Sequence, residues 1–314
     1  TGPGITTPIV LTTGPDGTST TTASVITGTY TITETAVPAW AQSFVTNPGP
    51  QQVVVDGNAG TPLVTFVFTN LVNTVRAATQ LSTPVAKAGD VVTDYVWIQG
   101  VAPATVLDTN FAVYQGAVDV PAASMVCDAA SQVATIDGTF TTAGPSTAEA
   151  VYTAGTFTIP AGTDAASFWV AGTITDEQGT VLATLPCGDV NEMVVRPAIS
   201  TRADAIVNQV TSTVSDSYDV QAFPAVTTGW TVVANFPLFE YNACPATGTA
   251  IGTTTETITV NGPGVTTTGI AVTTVTTYMF IENMDVTVTR DTTPTGWTIT
   301  RPGTTTTTET VTIN

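Results

Sequence analysis

Short apolar runs alternate with polar and turn-forming residues along most of the chain. Each run is rich in valine, isoleucine, threonine or aromatic residues, and glycine, proline, aspartate or asparagine separates it from the next. Such residues suit a pleated strand, and turn residues at this spacing are typical of sandwich or barrel domains. The clearest runs are QQVVVDG, PLVTFVFTN, DVVTDYVWIQG, NFAVYQGAV, ATIDGTFTTAG, AVYTAGTFTIPAG, ASFWVAGTITDEQG and GTVLATLPCG. The pattern predicts an all-β fold.

Helical periodicity is weak by comparison. The two alanine-containing pieces RAATQL and STRADAIVNQV are short, and β-branched residues interrupt them. Because β-branched side chains lose χ1 freedom in a helix, we expect no amphipathic helix in either place.

A segment in the middle of the chain aligns without a gap to a later one. TQLSTPVAKAGDVVTDYVWIQG begins at Thr79, and TRADAIVNQVTSTVSDSYDVQA begins at Thr201. After a small insertion, NFAVY at Asn110 matches NFPLF at Asn235, and a cysteine follows each. The identical pairs include Thr79 with Thr201, Val85 with Val207, Asp94 with Asp216, and Gln99 with Gln221. We interpret the two segments as copies of one β-domain.

The motif Tyr-x-x-x-Glu occurs near both ends, from Tyr30 to Glu34 and from Tyr278 to Glu282. Alternate side chains of a strand share one face, so Tyr30 and Glu34 would point the same way. Glu34 then lies inside, with a hydrogen-bond partner or a proton, or it lies at an edge in solvent, and the sequence leaves both open. Together the two repeats predict three β-sandwich domains, at 1–77, 78–198 and 199–314.

Charge excludes several classes of partner. The 314 residues carry 24 acidic and 6 basic side chains, a formal charge of −18. No stripe of lysine or arginine could neutralise phosphates, so we expect neither nucleic acid nor anionic membrane as a partner. No apolar run approaches the ~18 residues of a membrane-spanning helix, so we expect no membrane insertion.

The residues needed for most catalysis are missing. Histidine is absent, which removes the commonest general base and the commonest zinc ligand together. The chain has no CxxC spacing and no phosphate-binding glycine motif, and its carboxylates do not cluster in sequence. We therefore expect no enzymatic activity and no catalytic residue.

Calcium is the one cofactor that the acidic residues bring into consideration. ITDEQG at 174–179 and GDVNE at 188–192 group oxygen atoms in loop-like contexts. Neither segment has EF-hand spacing, and acidic loops are commonly just solvated. We expect no cofactor, with a melting temperature that a chelator leaves unchanged.

The cysteines are Cys127, Cys187 and Cys244. Three cysteines cannot all pair within one chain, so the simplest count is one disulfide and one cysteine that is unpaired or bonded to another subunit. This count fits an oxidising, extracellular environment.

The end segments resemble the prealbumin-like domains of Gram-positive pilins and surface proteins, usually called SpaA-like or Cna B-type. The matching stretches are GPDG at 14–17, GTYTITE at 28–34, Trp40 and TFVFTN at 65–70. In that family a lysine of the first strand condenses with an asparagine of the last strand, and the glutamate of Y-x-x-x-E catalyses the reaction. The resemblance implies Glu34 with Asn70, and Glu282 with Asn314, as acid and acceptor.

The lysine that this isopeptide bond would need is missing. Lys87 is the only lysine, and it follows Asn70 in a different repeat. We therefore expect the intact mass to show no loss of ammonia.

The middle of the chain resembles the Ig-like repeats of long actinobacterial surface proteins. The matching features are residues 88–94, Cys127 after the central aromatic strand, and CGDVNE at 187–192. The resemblance implies tandem Ig-like and prealbumin-like sandwiches in which Cys127 and Cys187 pair across the sandwich. Cys244 would then lack a partner.

These features together predict a structural protein of the cell surface. We expect an extracellular filament or pilus-like subunit that binds further copies of itself through strand edges, with TTTTTETVTIN at the end as a strand that a neighbour could accept. The alternative is an adhesin or phage-fibre module that presents loops to a glycan or protein. Its binding side chains would be exposed aromatics such as Trp40, Trp230 and Trp297.

Overall fold

The computed structural model describes most of the chain. The described residues are 2–7, 10, 26–33, 41–46, 51–56, 69–72, 75–101, 103–143, 148–203, 212–226, 228–240, 249–265, 268–274, 276–299, 301 and 306–313. This part of the chain contains strands and two 3-10 helices, Ala122–Ser124 and Val190–Glu192, and no α-helix. The all-β prediction is confirmed.

The strands follow one another through the chain in short, turn-separated pieces. They are β1 Gly28–Ile32, β2 Ala41–Thr46, β3 Gln51–Val55, β4 Thr69–Val72, β5 Arg76–Leu81, β6 Val91–Gln99, β7 Val106–Gly116, β8 Gln132–Thr141, β9 Ala150–Thr158, β10 Ala166–Asp176, β11 Val181–Leu185, β12 Met193–Arg196, β13 Ala198–Ala203, β14 Ser212–Val214, β15 Asp216–Gln221, β16 Trp230–Glu240, β17 Gly252–Ile258, β18 Gly262–Val265, β19 Ile270–Val272, β20 Tyr278–Phe280, β21 Asn283–Asp291 and β22 Thr306–Ile313. RAATQL, short and Thr-containing, is strand β5.

The chain divides into two compact units. The first comprises 1–74, 100–103 and 145–147, and the second comprises 75–99, 104–144 and 148–314. In the first unit, β1 pairs with β3 and β2 pairs with β4, both antiparallel. The predicted division into three domains stays a prediction.

The second unit contains two sets of strands with the same pairing pattern. The first repeat, β5 to β12, has one sheet in the order β5-β6-β9 and another in the order β11-β10-β7-β8, with β12 also on β10. The second repeat, β13 to β22, has sheets in the orders β13-β15-β18 and β17-β16-β21-β22, with β20 also on β16 and a small β14-β19 pair. A three-stranded and a five-stranded antiparallel sheet in each repeat fit a β-sandwich.

The register of the two repeats agrees with the sequence alignment. Asp94 lies opposite Leu81 in the β5–β6 pair. Asp216, the aligned residue of Asp94, lies opposite Ala203 in the β13–β15 pair. The aligned glutamines Gln99 and Gln221 face the first residues of β5 and β13 in the same way. The alignment therefore relates equivalent backbone positions.

The core follows the two-residue period of the strands. Along β16, Val232, Ala234, Phe236 and Leu238 are fully buried, and the residues between them are not. Burying one such aliphatic or aromatic side chain stabilises the fold by about 1.5–3 kcal/mol.

The two repeats share part of this core. Val85, from the β5–β6 connection, packs with the buried side chains of the second repeat, among them Phe236 and Val286. Trp230, from the second repeat, packs in turn against Trp169 and Val195 of the first. The apolar contacts between the repeats are therefore continuous with both interiors.

Candidate functional site

A segment of the second repeat lies along strands β5 and β6 of the first. We call this segment, residues 290–299 and 301, the strap; it comprises the end of β21 and part of the connection to β22. The indole nitrogen of the fully buried Trp97 donates to the carbonyl of Ile299 over 2.7 Å. The side-chain amide of Gln80 donates to the carbonyl of Asp291 over 3.1 Å. These bonds satisfy buried donors of the first repeat with the backbone of the second.

Two arginines of the strap donate hydrogen bonds to backbone carbonyls of the first repeat. The Arg290 guanidinium donates to the carbonyl of Leu81, and that of Arg301 donates to the carbonyl of Ser82 over 2.8 Å. Arg301 also lies 5.5 Å from the ring centre of Tyr95 and 3.6 Å from the carboxylate of Glu309. Guanidinium groups suit such sites because they remain charged while they donate several hydrogen bonds in a fixed plane.

The other end of the strap is held by Arg76 and Glu149 of the first repeat. Arg76 donates to the carbonyl of Gly296 over 2.7 Å, and its guanidinium stacks 4.3 Å from the ring centre of Trp297. Glu149 accepts the backbone N–H of Thr298 over 2.8 Å and also the hydroxyl of Thr298. The hydrogen bonds from Thr298 hold the pKa of Glu149 below its ordinary value, with smaller help from Arg76.

This contact uses half of the basic residues of the chain. Of the six basic residues in the sequence, Arg76, Arg290 and Arg301 all lie at the strap. Arg196 is also buried, and it donates to the carbonyl of Asp164 over 3.0 Å within the first repeat. In a chain with a formal charge of −18, four of the six basic side chains thus make internal contacts.

A buried pair of carboxyl groups lies on the inner side of the same strands. Asp94 of β6 and Glu192 of the second 3-10 helix are both 0% exposed, and Thr79 of β5 is 1% exposed. In the β5–β6 ladder, Asp94 lies opposite Leu81 and Thr79 lies opposite Val96. Thr79 and Leu81 are two residues apart on β5, so Thr79 and Asp94 face the same side of the sheet. Burial raises the pKa of both carboxyl groups well above their ordinary values, and the charge of Asp94 raises that of Glu192 further.

Arg290 lies within electrostatic reach of this pair from the other repeat. Burial lowers the pKa of Arg290 to about 10, and the negative charges of Glu309 and Glu192 oppose that decrease. Arg290 therefore still carries its charge at neutral pH.

The structure gives the motif tyrosines a common role. The hydroxyl of Tyr30 lies 2.7 Å from the carbonyl of Ile26, four residues earlier, and 2.8 Å from that of Pro3. The hydroxyl of Tyr278 donates to the carbonyl of Thr274, again four residues earlier, over 2.6 Å. Each tyrosine therefore fixes the chain that leads into its own strand, which accounts for its recurrence without any reaction.

The predicted isopeptide residues are only partly described. Glu34 and Asn314 lie outside the described residues, and Asn70 belongs to β4, where it pairs with Phe44. Glu282 is half-buried in the interruption between β20 and β21. The neighbouring Ile281 lies opposite Pro237 there, and its N–H donates to the carbonyl of Pro237 over 3.1 Å. Lys87 is exposed in a turn closed by Asp90. The prediction that no isopeptide bond forms stays a prediction.

The disulfide joins Cys127 to Cys187, as the resemblance implied, with their Cα atoms 6.0 Å apart. Its position differs from the one expected. Cys127 lies in the β7–β8 connection and Cys187 in the β11–β12 connection, and all four strands belong to one sheet. The bond therefore ties two loops of the same sheet and does not cross between the two sheets. Cys244 lies outside the described residues.

The two segments considered for calcium have other roles. Asp176 accepts the backbone N–H groups of Gln178 and Thr180 in the β10–β11 turn. Asp189 caps the second 3-10 helix by accepting the N–H of Asn191, and this helix turns Glu192 into the interior. Among the described residues, no group of three or more histidine, cysteine or acidic side chains could hold a metal ion.

Neither the strap nor the carboxyl pair was predicted from the sequence. The strap sequence DTTPTGWTIT has the composition of an ordinary turn, and only its flanking arginines and its tryptophan hint at a buried contact. Glu192 looked like a loop residue because the helix that turns it inward is a single turn long. Asp94 carried the better signal, since the same alternating strand holds an aspartate at the aligned position Asp216.

Within the described part of the chain, no helix has the length and apolar character needed to cross a bilayer. No protein-family model and no curated protein sequence matches this chain.

Proposed function

We propose that this protein is a structural subunit of an extracellular surface filament or pilus-like fibre, and that copies assemble through exposed strand edges. The observation that carries the proposal is the position of β22. This strand pairs with β21 over eight residues, from Thr306 opposite Asp291 to Ile313 opposite Met284. It is the outermost strand of its sheet among the described residues, so its other edge is available for a further strand.

The pairing of β22 favours one of two forms of the proposed assembly. A donated strand would leave its own sheet and fill a groove in a neighbour, whereas β22 occupies a place in its own sheet. Edge-to-edge addition needs no such exchange, since the main-chain groups of the outer edge supply the hydrogen bonds. We therefore favour edge addition over strand donation.

The composition of β22 supports this role. Its sequence TTTETVTI contains no proline and no lysine, the residues that commonly protect edges from pairing. Its inner face is fixed by the packing of Val311 and Ile313 on the second repeat's core. A fixed register on one side presents a defined register on the other.

The joint between the repeats supports a construction role as well. The strap, with its arginines that bind backbone carbonyls, and the shared apolar contacts bind the two repeats to each other. Pro197 alone separates β12 from β13. A subunit that transmits tension along a fibre requires such a connection.

The alternative function, a glycan- or protein-binding module, gains no support from the tryptophans. Trp297 stacks against Arg76, and Trp230 packs between the cores of the two repeats. Trp40 lies outside the described residues.

Electron microscopy of the purified full chain tests the proposal. We expect regular filaments at high protein concentration from the unmodified protein. The double variant Thr310→Lys, Thr312→Lys places two charges on the outer part of β22 and should give single particles with a little-changed melting temperature. Thr231→Lys, on the central strand β16 of the same sheet, is the matched control and should still form filaments.

Two outcomes would overturn the proposal. The first is an unmodified protein that remains as single particles at every concentration, with and without reductant. The second is a β22 variant that forms the same filaments as the control, which would remove β22 from the contact.

A further inference from the structure

Five side-chain oxygen atoms are buried in the first repeat without a well-formed hydrogen bond. They are the two carboxylate oxygens of Asp94, the two of Glu192 and the hydroxyl oxygen of Thr79. All are buried, and none makes a hydrogen bond of ordinary geometry among the described residues. The Thr79 hydroxyl and the backbone of Tyr95 lower the pKa of Glu192 and of Asp94, respectively, by less than burial raises it. Buried polar atoms that lack a partner destabilise the folded state, and charged ones do so most. An interior that holds five of them indicates that something occupies the site.

The charges around the site indicate that it takes up one positive charge. Asp94 faces it from β6, Glu192 and Asp189 from the 3-10 helix, and Arg290 from β21. Asp189 is only partly buried and reaches solvent, so the interior holds two carboxylates against one guanidinium. One additional positive charge makes the buried set neutral. Leaving the second carboxylate uncompensated in the interior would cost several kcal/mol.

We propose that Asp94 and Glu192 form a proton-binding site in which one shared proton joins the two carboxyl groups and ties the second 3-10 helix to strands β5 and β6. The proton comes from solvent during folding, and no bond other than O–H is made. A protonated carboxyl group has an O–H donor, so one carboxyl group can donate a hydrogen bond to the other. The hydroxyl of Thr79 can then donate to Glu192. The shared proton thus removes most of the unpaired acceptors at once.

A proton fits this site better than a metal ion. Calcium needs six to eight oxygen ligands, and the site offers two carboxylates and one hydroxyl. A divalent ion beside Arg290 would also leave the interior with an excess positive charge. The raised pKa of both carboxyl groups agrees with proton uptake.

The site closes the first repeat close to its disulfide. Cys187 comes five residues before Glu192, in the connection that also contains the 3-10 helix. The disulfide fixes the outer part of this connection, and the proton-linked pair fixes its inner part. Arg290 then connects the closed repeat to the strap through the carbonyl of Leu81.

The sign of the pH dependence follows from the raised pKa. The folded state binds the proton more tightly than the unfolded chain, whose carboxyl groups have ordinary pKa values of 3.8 and 4.5. The stabilisation is therefore complete below those values and is lost as the pH rises through the pKa of the folded pair.

Infrared spectroscopy of the full chain detects the proton directly. At pH 7 we expect one carbonyl stretching band of a protonated carboxyl group, at a pH where exposed carboxylates are ionised. The band should disappear in Asp94→Asn and in Glu192→Gln and persist in Asp137→Asn, which alters an exposed carboxylate of β8. The band in the unmodified protein needs no variant, so the test survives a variant that does not fold.

The melting temperature across pH gives an independent measurement. Glu192→Gln keeps the shape of the side chain and supplies a permanent donor, so the fall in melting temperature from pH 5 to pH 9 should shrink by at least half. Asp137→Asn should keep the full decrease.

Three results would overturn the proposal. One is the absence of a protonated-carboxyl band at pH 7 in the folded protein. Another is a decrease in melting temperature that is the same in Glu192→Gln as in the unmodified protein. The third is a bound cation in native mass spectra of the unmodified protein, together with a melting temperature that a chelator lowers, since a metal ion would then occupy the site.

Discussion

The two repeats of the second unit share one strand-pairing register but are closed in different ways. In the first repeat, Asp94 lies in β6 with Glu192 beside it, and a disulfide ties the adjacent loops. In the second, Asp216 holds the aligned position, and the long β21–β22 connection leaves its own repeat to lie on the first. The repeated strands therefore specify the framework, whereas the connections specify how each repeat is closed and how the two are joined.

The difference also separates the two sources of stability. The first repeat contains its own covalent bond, and the second repeat is stabilised through contacts that it makes with the first. Substitutions at the strap should therefore affect both repeats, and substitutions at the disulfide should act on the first.

The largest effect is expected from Arg290. Arg290→Met removes the buried charge that faces Glu192 and leaves the carbonyl of Leu81 without its donor. We expect the free energy of unfolding to fall by about 3–5 kcal/mol, measured by urea denaturation. Arg202→Met, the same substitution at an exposed position of β13, should change it by less than about 0.5 kcal/mol. Equal effects of the two substitutions would show that Arg290 does not hold the two repeats together.

The disulfide should rank next. The double variant Cys127→Ser, Cys187→Ser opens a link between residues separated by 60 positions. Loss of such a link costs about 2–4 kcal/mol, and treatment of the unmodified protein with reductant should give the same decrease. Amide exchange should increase around β11 and β12 and stay unchanged in β17. An equal increase in both repeats would contradict the assignment of the bond to the first repeat alone.

These two expectations show what the sequence could and could not predict. The strands, the aligned aspartates and the cysteine pair were predictable because each depends on local alternation or on a short motif. The strap was not, because its contacts join residues such as Gln80 and Asp291 that are more than two hundred positions apart. No local pattern encodes which distant strand a turn-like segment will cover.

The fate of individual candidates has the same explanation. Tyr30 and Tyr278 were recognised as a repeated pair, and their role depends on a carbonyl four residues away, which local sequence can specify. Glu192 was placed in an oxygen-rich loop, yet it is buried because Asp189 caps a single helical turn that points it inward. The sequence of the last segment predicted a strand, and β22 is one. Its pairing with β21 was not predictable, because it depends on the complete sheet.

A smaller effect is expected from the indole of Trp97. Trp97→Phe keeps most of the buried ring but removes the hydrogen bond to Ile299. We expect a loss of about 1 kcal/mol in the free energy of unfolding, together with faster amide exchange in residues 296–299. Trp230→Phe, which removes no such strap contact, is the comparison, and faster strap exchange in that variant alone would contradict the assignment.

The smallest effect should come from Glu149, with a pH dependence opposite to that of the buried pair. Its pKa is lowered by the hydrogen bonds of Thr298, so the stabilisation is present above its ordinary pKa of 4.5 and is lost as the pH falls through the lowered value. Glu149→Gln should lower the melting temperature slightly at pH 7 and reduce its decrease on acidification. An unchanged acid limb of the melting curve would show that Glu149 does not hold the strap.

Native-state hydrogen exchange of the intact chain shows whether the strap holds the two repeats together as one cooperative structure. In the unmodified protein, the protected amides of β6 and of β16 should share one opening free energy and respond equally to added urea. In Arg290→Met the two sets should separate, with one repeat opening at lower urea than the other. Independent opening of β6 and β16 in the unmodified protein would contradict the account.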